Sequence, residues 1–143
     1  MTSSRPTSGV DRALPEAVQS AIDAARDKKA VDVTVLDLRA TGAFADFFVI
    51  CSGQNTRQVR AIMEAVEEAL KKQDLRPSHV EGNERCEWVL LDYFDLIIHV
   101  FVPELRTFYG LERLWGRAVQ IDIGSDGRQL VRAQPNRSAS QAD

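Results

Sequence analysis

Residues 44–72 read FADFFVICSGQNTRQVRAIMEAVEEALKK, and the spacing of apolar residues changes within that stretch. From Phe44 to Cys51 the apolar run is short and nearly continuous, the pattern of a central strand covered on both faces. After Ser52-Gly53, Asn55 or Thr56 can cap a helix by accepting backbone N–H bonds. In that helix Val59, Ile62, Met63, Val66 and Leu70 fall on one face, and Arg57, Arg60, Glu64, Glu67, Glu68, Lys71 and Lys72 occupy the rest. A strand, a helix and then a further strand favour a right-handed crossover with some parallel pairing.

Working outward toward the N-terminus, Val31, Val33 and Val35 alternate with Asp32 and Thr34, which predicts a strand with one buried face. Before it, Leu14-Pro15-Glu16 opens a helix, since proline fits a first turn whose N–H groups have no partner. Val18, Ala21, Ile22 and Ala25 form its apolar stripe, and Lys28-Lys29 suits its C-terminal end. Toward the C-terminus, Pro77 ends any helical continuation, and His79 to Gly82 reads as a short edge strand. Glu87–Leu91 and Leu96–Val102 are expected to pair as an antiparallel hairpin around Tyr93 and Phe94, with Pro103 ending the pairing. A last helix is expected from about Glu104 to Trp115, stopping at Gly116. The expected order is α-β-β-α-β-β-β-α: an α/β (α+β) fold with a mixed sheet of about five strands flanked by helices. Residues 1–11 and 124–143, rich in Ser, Gly and polar groups, are expected to be flexible tails around one domain at 12–123.

Charge and composition narrow the function. The net charge is -3. A protein held mainly by nucleic-acid phosphates would usually be basic, so no direct sequence-specific nucleic-acid binding is expected. Cys51 and Cys86 form no CxxC pair and are expected to be free thiols in a reducing cytoplasm. No run approaches the ~18 apolar residues of a membrane helix. His79, His99, Cys51 and Cys86 match no zinc spacing, so neither a metal nor a cofactor is expected.

The stretch from Glu81 to Asp95 holds five acids and one base around Trp88 and Tyr93. Aromatic anchors ringed by charge suit a protein-docking surface. Trp88, Leu90 and Asp92 should share one strand face, with Val89, Leu91 and Tyr93 on the other. Trp88 is the expected anchor, Asp92 and Asp95 the expected partners of basic groups, and Arg106 and Tyr109 are expected to flank the patch. Three alternatives stand beside this reading, one of them a self-associating dimer whose own interface is the aromatic patch. In the others, Trp88 simply covers the core while the acids are solvated, or Ser52-Gly53 before a helix holds a phosphate, as in a nucleotidyltransferase-like enzyme with residual nucleotide binding. Against the enzyme, no GxGxxG or GxxxxGK[ST] is present, and Asp92 and Asp95, three apart across a turn, are not expected to converge as a two-metal site requires. His99, inside LIIHVFV with Ile97 and Phe101 on its face, reads as a packed histidine before a general base.

Three blocks, DFFVICSGQNTRQVRAIMEAV, then EG, then WVLLDYFDLIIHVFVPELRTFYGLERLW, resemble the Iojap family of ribosomal silencing factors (RsfS) over about Val31 to Trp115. The family pattern normally has Gly or a polar residue where this chain has Phe94. The resemblance implies a fold related to nucleotidyltransferases but without a working active site, and therefore no enzyme activity. It implies binding to ribosomal protein L-fourteen of the large subunit, obstruction of subunit joining and repression of translation when nutrients are short. It also implies action in ribosome assembly among organelle relatives, and homodimers among some members. Carried onto this sequence, the partner-binding segment falls on Trp88, Leu90, Leu91, Asp92 and Tyr93.

Overall fold

The computed structural model describes residues 13–132. Eleven elements follow in order: α1 (Glu16–Asp27), β1 (Val31–Asp37), β2 (Phe47–Ser52), α2 (Thr56–Lys71), β3 (His79–Glu81), β4 (Trp88–Asp92), β5 (Leu96–Phe101), α3 (Pro103–Tyr109), α4 (Leu111–Leu114), β6 (Val119–Ile123) and β7 (Gln129–Arg132). One mixed sheet runs in the order β3-β4-β5-β2-β1-β6-β7. The parallel pairing that the strand-helix-strand pattern favours appears between β2 and β5, with α2, β3 and β4 between them in sequence. The β4–β5 hairpin is antiparallel, with Trp88 opposite Phe101 and Asp92 opposite Ile97.

The fold class and the first eight elements match the sequence reading, but the sheet has seven strands instead of about five. The two extra strands fall late in the chain. Val119–Ile123 pairs with β1 across more than 80 residues of sequence, a partner that local periodicity cannot reveal. The boundary expected at Gly124 moves accordingly: Gly124 to Gly127 form a turn and Gln129–Arg132 closes back on β6. Polar composition suggested a tail there, whereas backbone pairing to an existing edge supplies the order. The expected tail at 1–11 lies outside the described residues, as does 133–143. The single helix expected over Glu104–Trp115 is split by Gly110, whose backbone is left-handed at φ 54. Among the described residues no helix is long and apolar enough to cross a membrane.

The sheet divides the core in two. On one face Val33, Val35, Val49, Cys51, Val89, Leu91, Ile98 and Val100 pack against α1 and α2, which contribute Ile22, Ile62, Met63 and Val66. On the other face Leu36, Phe48, Ile50, Ile97 and Phe101 meet Leu111 and Ala118, with Trp88, Leu90, Leu105 and Trp115 only partly covered. Gly53 shows how closely α2 docks: a Cβ there would stand 2.8 Å from the Val59 backbone nitrogen. Cys51 and Cys86 are both free and buried, and burial pushes the Cys51 thiol up to about 12.

Candidate protein-docking surface

The alternation expected in β4 is present. Val89 and Leu91 are buried, while Trp88, Leu90 and Asp92 are each partly exposed on the opposite face. Trp88 sits at the end of that face next to α3. Its indole stacks on Phe101 at 4.9 Å between centroids and lies 4.6 Å from Tyr109. The indole Nε1–H donates to His99 Nδ1 at 3.2 Å. Because Nδ1 accepts, the proton of the neutral ring is on Nε2, which has no hydrogen-bond partner among the described residues. Burial lowers the His99 pKa from 6.5 to about 4, so the ring is neutral near neutral pH. Phe48 meets the His99 ring edge-on at 4.7 Å, and Trp115 meets Phe48 at 5.8 Å. The result is an aromatic platform with Trp88 at its open margin.

The residues expected at the partner surface do not all gather in one place. Trp88, Leu90 and Asp92 share a face, and Asp95 is exposed at the hairpin tip. Leu91 is a correction: at 0% exposure it belongs to the core beneath α2 and supports the strand. Tyr93 turns to the helical side with Leu91. Burial, and then the charge of Glu67, raises its phenol to about 12, and its hydroxyl is buried without a partner among the described residues. Arg106 is the second correction. Its guanidinium donates to Glu112 at 2.9 and 2.7 Å, to Ser52 Oγ at 3.1 Å and to Thr34 Oγ1 at 3.4 Å, with 12% of the side chain exposed. It ties α3–α4 to the C-terminal end of β2, whereas Asp92 and Asp95 lie at the other end of the hairpin. Tyr109, expected beside it, does flank Trp88.

The acids of the patch differ in how they are engaged. Glu87 faces Arg85 at 3.6 Å, and Glu81 faces His79. Asp92 Oδ1 accepts from the Phe94 backbone N–H at 2.8 Å, which holds the turn. Among the described residues no cation lies within salt-bridge distance of Asp92 or Asp95.

The phosphate-binding alternative meets occupied groups. Asn55 Oδ1 accepts from Gln58 N at 2.9 Å, and Gln58 Oε1 accepts from Gln54 N at 2.6 Å, so side chains take two of the N–H groups around the entrance to α2. Ser52 is 2% exposed and bound to Arg106. A cavity of about 540 Å³ does adjoin Ser52, Thr34 and Arg106, and it is lined by charges of both signs: Asp32, Glu112 and Asp122 with Arg106 and Arg113. No group of three or more His, Cys, Asp or Glu placed to hold a metal occurs among the described residues.

His99 is the residue whose role the sequence reading missed. Alternation in LIIHVFV put it on the Phe101 face. Only the hairpin register, with Leu90 opposite His99 and Trp88 opposite Phe101, brings it under the indole.

The seven-stranded mixed sheet with its half-open aromatic face makes a small α/β domain. The chain belongs to the family described as ribosomal silencing factor during starvation, whose family model matches residues 11–143. It is 38% identical over 108 residues to the ribosomal silencing factor RsfS of Halalkalibacterium halodurans, covering 76% of this chain and 92% of that protein. It is 36% identical over 97 residues to the protein of the same name from Bacillus subtilis, covering 68% and 82%. A crystal structure of a Chromobacterium violaceum protein matches with a TM-score of 0.68 and 35% identity, covering 71% of this chain and 84% of that one.

Proposed function

We propose that this protein is a ribosomal silencing factor that binds ribosomal protein L-fourteen of the large subunit and sterically blocks joining of the small subunit, repressing translation under nutrient limitation. The observation that carries the reading is the one-sided exposure of Trp88, Leu90 and Asp92 beside the aromatic platform, in a chain of this family. Trp88 is the anchor. Its ring is already oriented by Phe101, Tyr109 and His99, so little side-chain freedom is lost on binding. Asp92 and Asp95 supply the charge match to a basic partner and steer encounter at low salt. Leu91 and Tyr93 act from behind the strand, and Arg106 holds α3–α4 in place.

A protein held at the joining face excludes the other subunit by occupying its space, so neither a cofactor nor catalysis is required. A stable interface of about 1,200–2,000 Å² in total would serve. The test is light scattering of purified small and large subunits mixed with the protein. Association is expected to fall in a saturable way, and the effect is expected to weaken with Trp88→Ala. Subunits that couple at the usual rate and extent in saturating protein would refute the reading.

A further inference from the structure

Phe94 and Phe44 stand apart from the aromatic platform. They are 77% and 79% exposed. Both enter the same end of the sheet: the Asp95 carbonyl accepts from the backbone N–H groups of Asp46 and Phe47 at 2.8 and 3.0 Å. Phe94 also has φ 81, a region that bulky side chains rarely adopt. Its backbone is fixed there by Asp92 Oδ1 at 2.8 Å, and the turn is closed by Tyr93 N–H to the Leu96 carbonyl at 2.8 Å. The hairpin tip therefore holds an apolar ring out into solvent on a short, cross-braced turn.

Acids predominate around this pair, with Arg39 the nearby cation, whose charge also acts on Asp46. Asp46 and Asp95 are exposed and Asp92 is half-buried. Among the described residues no cation lies within salt-bridge distance of any of the three, and neighbouring Arg39 is held by Asp37 at 2.8 Å. An aromatic face beside carboxylates suits a guanidinium better than any other common side chain, because arginine stacks on the ring while its N–H groups reach the acids. A second copy of this chain fits poorly, since a two-fold contact at this tip would bring two patches rich in the same acids together.

We propose that Phe94 and Phe44 form a second contact point of the docking surface, receiving an arginine-bearing basic segment of the protein partner whose guanidinium pairs with Asp95 or Asp46. The proposal rests on the ribosome-binding reading and extends the Trp88–Leu90–Asp92 surface through Asp92 to the hairpin tip. Phe94→Gly separates its effect from folding, because glycine accepts this backbone without strain. Its thermal midpoint is expected to equal or exceed that of the parent protein, while affinity for purified bacterial large subunits, measured by co-sedimentation, drops roughly tenfold, the loss of one anchor. Phe44→Ala, in an exposed loop, is expected to weaken binding in the same direction, and Asp95→Asn to flatten the salt dependence.

Parent protein that fails to bind large subunits at all would remove the functional reading and this inference with it. Parent protein that binds, alongside Phe94→Gly and Phe44→Ala variants of equal affinity, would overturn the inference alone. Unchanged affinity with loss of a dimer in sedimentation would also overturn it, assigning the tip to self-association.

Discussion

Beneath α1 and α2 the sheet is sealed with aliphatic side chains, and Val35, Val49, Val89, Leu91 and Ile98 are at most 1% exposed. The other face mixes aliphatic residues with a cluster of rings, and α3 and α4 leave part of it uncovered, with Trp88 and Leu90 at the margin. The difference separates two tasks. The aliphatic face supplies burial, which is non-directional and grows with area. The aromatic face fixes orientation, because ring stacking and the Trp88–His99 hydrogen bond select one geometry. Neighbouring residues of β4 are thereby divided: Leu91 belongs to the first face and Leu90 to the second.

The largest expected effect tests the sealed side. Leu91→Ala should cost about 2–5 kcal/mol in denaturant unfolding, since a close-packed core collapses only partly around the void. Large-subunit affinity of the molecules that remain folded should be nearly unchanged. A loss smaller than that of a Trp88 variant would break the division between the faces.

The next effect, of similar or smaller size, reads the aromatic side through pH. The buried His99 ring titrates at about 4 in the folded protein against an ordinary 6.5. As pH falls below about 6.5 the unfolded chain takes up this proton while the folded protein resists it. The stabilisation is therefore complete above that value and is lost progressively down to about pH 4, amounting to roughly 3 kcal/mol at ~1.4 kcal/mol per unit. Unfolding curves at several pH values in this window should show the slope in the parent protein and lack it in His99→Phe.

The smallest effect sharpens the comparison. Trp88→Phe keeps a ring against Phe101 and Tyr109 but leaves His99 Nδ1 without its donor, and should cost about 1–2 kcal/mol. Its binding to large subunits should weaken more than that of Leu91→Ala. The reverse order would mean that the anchor lies elsewhere.

Much of the fold was legible because it rests on local spacing. The stripe Val59, Ile62, Met63, Val66 and Leu70 appears in α2 as the buried residues of that helix. The alternation of Trp88, Leu90 and Asp92 with Val89 and Leu91 is the burial pattern of β4. The site was legible only in part. Arg106 looked like a surface charge one turn from Tyr109, yet it reaches Ser52 and Thr34, 54 and 72 residues away in sequence. Leu91 was grouped with the docking residues by its place in WVLLDY, whereas the alternation itself assigns it to the core.

By itself the sequence determined the strands and helices up to α3 except that helix's extent, the presence of some parallel pairing, and which β4 residues share a face. These follow from backbone geometry, where side chains repeat every two residues in a strand and about every 3.6 in a helix. Only the tertiary structure decided that Val119–Ile123 pairs with β1, that His99 accepts the Trp88 indole and that Arg106 turns inward. Each of these depends on which distant segments become neighbours, and that is set by closing the whole sheet around two cores at once.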